Sequence, residues 1–241
     1  MKKFVITLVS LKLAFLVACL TLFTVSQSGD STNVQASATA SPTPDKTDKV
    51  ERPTSEPYKG DLSIFESPER DKNLQIDRVM DILKISDNKT VADIGAGSGW
   101  FTVRAAKRVG SAGRVFAVDI NQEYIDYIND RAKKAALTNI KTILGGPNDP
   151  MLPPNSVDAV LILKTYHEIA EPIQLMKKVR LAVKSGGLVG IIDRNGNGAD
   201  HGLDKETLIN EVKIAGFKLR DQYDFVKADG MDYFLVFEQK T

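Results

Sequence analysis

Cysteine is almost missing from this chain: there is one, Cys19, in 241 residues. Beyond position 19 there is no disulfide to form, no thiol to oxidise, and no cysteine to serve as nucleophile or metal ligand. That is compatible with an oxidising compartment and does not require one. Histidine is scarce as well, with 2 in the chain, and no metal is expected. An excess of one charge is also missing. Lys+Arg number 32 and Asp+Glu 31, for a formal net charge of +1, so no basic surface argues for nucleic acid. No internal repeat is evident. What remains is ordinary globular composition, 42% hydrophobic, long enough for one domain with a sizeable core.

The N-terminus departs from that composition. Lys2 and Lys3 precede an apolar run from Phe4 to Val25, broken by Ser10, Lys12 and a few threonines. Residues 26–58 are then rich in Ser, Thr, Ala and Pro. A positive start, an apolar stretch and a polar spacer form the pattern of an export signal. A buried core helix would be isolated from the domain by that spacer. The expected organisation is a signal peptide or membrane anchor at 1–25, a flexible tether at 26–58, and one domain at 59–241. The tether has too few large apolar residues to offset its ordering entropy.

Three fates fit the leader. Leu16-Val17-Ala18-Cys19 resembles a bacterial lipobox and makes Cys19 a lipidation candidate, although Leu20 to Val25 stay apolar after it. Val34-Gln35-Ala36 and Ala36-Ser37-Ala38 look like cleavage sites, far from the apolar run. An uncleaved anchor from Phe4 to Val25 is long enough to span a bilayer, with Lys12 costing about 2.5–3.5 kcal/mol. The expected location is the cell envelope, exported or anchored, with a cytosol-facing anchor as the alternative.

The domain is organised around Thr90 to Trp100. Val91, Ala92 and Ile94 are a short apolar run, followed by Gly95, Gly97 and Gly99, and then a helical pattern through Phe101, Ala105 and Val109. This reads as buried strand, tight turn and helix, the first unit of an open α/β sheet. Glycine allows positive φ and close approach to a ligand, and the helix start leaves unpaired N–H groups facing it. A dinucleotide fingerprint wants G-x-G-x-x-G/A. Here the sixth position is Trp100, too large for the close packing that the third glycine permits.

Asp93-x-Gly95-x-Gly97-x-Gly99 resembles the first motif of class I S-adenosylmethionine (SAM) dependent methyltransferases. An acid at the strand end suits the ammonium group of SAM, and exposed amides suit its carboxylate. The next strand, Arg114 to Ile120, contains Asp119, about 20 residues past the turn and placed to accept from a ribose diol. Capping of the helix that starts at Gln122 is the alternative role. The remaining pattern alternates, with strands at Ile140–Leu144, Val157–Leu163 and Leu188–Asp193, then two at about 217–225 and 233–238. Helices are expected from Ser67, which caps Pro68 and Glu69, and at 122–136, from Pro172 and after Asp204. The resemblance therefore implies a Rossmann-like, doubly wound seven-stranded sheet, mostly parallel with an antiparallel last strand.

Within that class the chain is most similar to small-molecule enzymes such as the quinone-biosynthesis and arsenite methyltransferases. A domain without cysteine lacks the ligands by which the arsenite enzymes hold the metalloid. The resemblance implies SAM as cofactor and a small-molecule methyl acceptor. It assigns to the cofactor Asp93, Gly95, Ala96, Gly97 and Gly99, Asp119 with Ile120, and Lys164. The loop after the third strand adds Asn148 or Asp149, which precede Leu152-Pro153. The acceptor pocket is expected at the ends of the fourth and fifth strands, walled by Tyr166, His167, Asp193 and Arg194 and covered by the helix from Ser67. His167 is the candidate catalytic base if one is needed; the alternative is that Tyr166 and His167 merely close the pocket. A SAM-binding module without catalysis and a nicotinamide-dependent oxidoreductase are the other functions considered, the second disfavoured by Trp100. The oligomeric state is left open.

A reporter active only outside the cytoplasm, fused after Tyr58, is expected to give signal. A signal from a cytosolic reporter at that junction instead would exclude export. Cys19→Ala is expected to change processing or membrane retention if the lipobox is used.

Overall fold

The computed structural model describes residues 52–227 and 230–240. The expected leader, most of the tether and Cys19 lie outside the described residues. No described helix is long and apolar enough to cross a membrane.

Seven strands form one sheet: β1 (Thr90–Ile94), β2 (Arg114–Asp119), β3 (Ile140–Leu144), β4 (Val157–Leu163), β5 (Val183–Arg194), β6 (Phe217–Tyr223) and β7 (Asp232–Gln239). Their order is β3-β2-β1-β4-β5-β7-β6. Pairings from β3 to β5 are parallel, and β7 runs antiparallel to both β5 and β6. The expected architecture holds, terminal hairpin included.

Strand alternation explains the layers. Val91, Val115, Ala159 and Leu161 pack on one face with α2 (Ile76–Ile82) and α3 (Trp100–Val109). Ala92, Ile94, Val160 and Ile162 pack on the other with α5 (Pro172–Ala182) and α6 (Lys205–Ile214). The helix α4 (Gln122–Lys134) adds Ile128 against Ala117 on the first face. Both faces are thus buried, as near-continuous apolar strands require. The strand order reverses between β1 and β4, so the crevice lies at their carboxyl ends.

Several boundaries differ from expectation. The helix expected from Ser67 is two, α1 (Glu69–Leu74) and α2, broken at Gln75, whose φ is 46°. Ser67 makes no side-chain cap there. Asn121 caps α4 by accepting from the Glu123 N–H, and α4 buries Ile125, Ile128 and Ala132, while Tyr124 turns elsewhere. The Gly186-Gly187 turn is an excursion within β5: Val183 pairs with Val157 and Leu188 with Ala159, so residues 184–187 bulge out. Asp204 caps α6 as its position predicts.

Arg52 to Tyr58, read as tether, pack on the domain. The buried Arg52 guanidinium pairs with Glu211 at 2.7 Å and donates to the carbonyls of Tyr166, His167 and Ile169. Ser55 is buried and donates to Gly198 O at 2.9 Å. Removing one member of a buried pair leaves the other uncompensated. Arg52→Ala is therefore expected to cost roughly 3–5 kcal/mol in urea denaturation.

Candidate functional site

The crevice holds a cavity of about 710 Å³, lined by the first glycine turn, the ends of β2 and β4, and residues 54–59. Its floor is built from the exit of β1. The Gly95 and Ala96 N–H groups both donate to Val118 O, at 2.9 and 3.0 Å. A Cβ at Gly95 would lie 2.3 Å from Thr165 Cγ2, so a side chain there would displace the β4 exit. Gly97 has φ 53° and nothing within 4 Å of where its Cβ would be, so its backbone opens onto the cavity. Gly99 does not line the cavity; it starts α3 against Ile128.

Two carboxylates stand at this floor. Asp119 Oδ2 accepts from the Gly97 N–H at 2.9 Å and Oδ1 from the Asn121 N–H at 3.0 Å. Helix capping falls to Asn121, so Asp119 is left as the acid at the cavity. Its burial raises the carboxyl above the usual range, against the lowering by these amides. Asp93 is 2% exposed and accepts from Thr102 Oγ1 at 2.6 Å. Burial pushes it up to about 7, with Asp119 adding to the rise and Thr102 and the Arg70 guanidinium opposing it.

The opposite wall was not legible from motifs. Glu66 accepts from Ser98 Oγ at 2.8 Å and pairs with Arg131, which also donates to Ser98 O. This ties the 3-10 turn Leu62–Glu66 to the glycine loop. Trp100 lies against two guanidinium groups, Arg70 at 4.6 Å and Arg104 at 3.9 Å. Arg104 is held by Asp71 of α1 at 2.6 Å. Trp100 thus anchors the covering elements while lining the cavity itself. Tyr124 donates from its hydroxyl to Tyr58 O, fastening the strap of residues 54–59.

The expected sites divide. Asp93, Gly95, Ala96, Gly97, Asp119, Ile120 and Lys164 all line the cavity. Asn148 and Asp149 do not: Asn148 bonds Glu171, and Asp149 accepts from the Met151 N–H and pairs with Lys178. That loop meets the cavity through Gly146, Pro147 and Pro150 instead. The expected acceptor walls do not line it either. Tyr166 is buried in the core, and His167 and Asp193 are buried beneath the wall. Arg194 lies at the exposed end of β5, away from the cavity. The reason is the 3-10 turn Tyr166–Glu168, which sends successive side chains in different directions. It leaves Thr165 and Glu168 at the cavity. Burial, with Asp193 and Asp119, pushes Glu168 up to about 7, while His167 and the Tyr58 N–H oppose the rise.

Comparison with known proteins agrees with this geometry. A family model described as a methyltransferase domain matches residues 91–187. A demethylmenaquinone methyltransferase of Listeria welshimeri is 24% identical over 47% of this chain and 48% of its own length. The match thus spans about half the length of that relative. The crystal structure of a SAM dependent methyltransferase from Aquifex aeolicus has a TM-score of 0.66 at 22% identity, covering 74% of this chain and 98% of that one. The [4+2]-cyclase SpnF has a TM-score of 0.61 at 15% identity, covering 80% and 88%. The fold is that of the class I SAM-dependent methyltransferases, and it implies S-adenosylmethionine as the cofactor. The cyclase shows that this fold alone does not set the reaction.

The residues present fit that cofactor. A paired acid and open backbone at Gly97 face a cavity within the usual ligand range, and Asp93 is a buried acid that a ligand cation would stabilise in its charged form.

Asp93 also sets a pH dependence. Its folded pKa lies above its unfolded value, so between about 4 and 7 the folded state holds a proton that the unfolded state has released. Ligand-free stability therefore falls as pH rises through that window. Asp93→Asn removes the effect. Its stabilisation of the ligand-free protein is expected to grow by about 1.4 kcal/mol per pH unit across the window in denaturant titrations.

Proposed function

We propose that this protein transfers a methyl group from S-adenosylmethionine to a small, partly apolar acceptor. The observation that carries the reading is Asp119. Its carboxylate is fixed at the end of β2 by the Gly97 N–H and lines the cavity beside an open glycine backbone. Asp119 would hold the ribose diol and Asp93 the ammonium end; the Gly95, Ala96 and Gly97 N–H groups are already engaged by Val118 O and Asp119, so the exposed amides expected for the carboxylate are not offered by this stretch. When bound, the cofactor supplies a methyl group already activated on a sulfonium sulfur.

The chain's own part is to orient the acceptor and exclude water. Tyr58, Phe65, Ile169 and Leu175 supply apolar wall, with Lys164 and Glu168 as polar points. Such a wall suits a small molecule with a ring and one or two oxygens. Relatives named demethylmenaquinone methyltransferases support that class of acceptor. The basic, apolar and Ser/Thr/Pro-rich N-terminus supports targeting to the membrane or beyond it, by a cleaved, lipidated or anchoring leader.

Calorimetric titration with S-adenosylhomocysteine tests the reading. Binding is expected, and Asp119→Ala is expected to weaken it by about 1.5–3 kcal/mol through lost charge-assisted hydrogen bonds. Tight binding of NAD with no response to either SAM compound would overturn the assignment. Binding without turnover on any quinol or phenol acceptor would leave a ligand-binding module.

A further inference from the structure

Behind the cavity wall the fold brings together the only two histidines of the sequence. Their rings meet edge to face at 5.9 Å, and Glu168 lies beside them. One ligand atom from each of His167, Glu168 and His201 falls within 4.8 Å of the others. We propose that these three side chains bind a divalent transition-metal ion of the zinc or cobalt kind.

The geometry around His167 carries the inference. Asp193 Oδ2 accepts from the His167 N–H at 3.0 Å, and Oδ1 accepts from the Arg194 N–H at 2.8 Å. A carboxylate so engaged is an acceptor, so the 2.8 Å contact from His167 Nδ1 to Asp193 Oδ1 places the ring proton on Nδ1. His167 Nε2 is then the ring nitrogen turned toward Glu168. It faces Glu168 Oε1 at 3.8 Å, too far for a hydrogen bond. A cation placed between them would be ligated by both the ring nitrogen and the carboxylate oxygen.

The spacing suits a metal. A tetrahedral ion bonded at about 2.1 Å holds neighbouring donors about 3.4 Å apart. The 3.8 Å gap is within a small side-chain adjustment of that. The order Asp193–His167–metal is the arrangement in which a buried carboxylate orients a ligating imidazole. His201 is exposed on a loop whose backbone is fixed by its N–H donating to Ser55 Oγ at 2.9 Å. It gives the ion a route from solvent. Two nitrogens and one carboxylate favour a borderline ion over calcium or magnesium, and three protein ligands leave a coordination position open. Because Glu168 also lines the cavity, a bound ion would neutralise a charge on its wall. The expectation of no metal rests on counts of cysteine and histidine, which do not sense residues distant in sequence that the fold joins.

The test uses the untagged full chain, stripped with a chelator and titrated with Zn²⁺ by calorimetry, with Co²⁺ absorption reporting nitrogen ligation. One ion per chain is expected, with His201→Ala and Glu168→Gln each weakening binding at least about tenfold. No saturable binding, or either folded variant binding as tightly as the parent, overturns the site. His201→Ala changes an exposed loop residue and decides the matter alone if Glu168→Gln does not fold. The inference does not rest on methyl transfer: failure of S-adenosylhomocysteine to bind would overturn that reading and leave the metal titration standing.

Discussion

The chain leaves β1 through a gap that has no room for a methyl group. On one side the Gly95 N–H is held by Val118 O of β2 at 2.9 Å; on the other, Thr165 at the end of β4 fills the place of a Cβ. Those neighbours fix where the backbone turns. Gly97 then reaches the Asp119 carboxylate, and α3 begins with Trp100 facing the covering helices. The floor, the acid beside it and the anchor of the lid all follow from one close approach. The general rule that α/β crevices form where strand order reverses is realised here by a missing side chain.

The cover is held by charge as well as by the apolar burial of Leu62 and Leu74. Glu66 joins Arg131 and Ser98, Asp71 joins Arg104, and Arg52 joins Glu211. Trp100 and Phe65 lend ring faces to the guanidinium of Arg70. Partly or wholly buried pairs of this kind are screened less than surface ones. They also impose geometry, since a guanidinium has donors in a fixed fork. This fits a wall that must keep its shape around a ligand.

What was legible in the sequence follows that division. The sheet, the helices and the glycine turn were readable because each rests on local pattern: apolar runs, 3.6-residue spacing, glycine at a strand exit. Asp119 was readable because its distance from the turn is fixed by the βαβ unit. Side-chain direction in short irregular segments was not. Tyr166, His167 and Glu168 are adjacent in sequence, yet one enters the core, one meets Asp193 and one faces the cavity. Asn148 and Asp149 sit in the expected loop and point outward for the same reason. The segment at 52–58 was misjudged by composition, since Arg52 and Ser55 dock it by hydrogen bonds, which a count of large apolar residues does not sense.

That docked segment bears on time as well as affinity. A ligand that has to displace a roof pinned by Arg52 at one end and by Tyr124 near Tyr58 at the other meets a barrier on the way in. The same barrier then stands before entry and exit, so both rate constants fall together and their ratio is unmoved. Occupancy would follow the average level of a ligand and ignore its brief fluctuations.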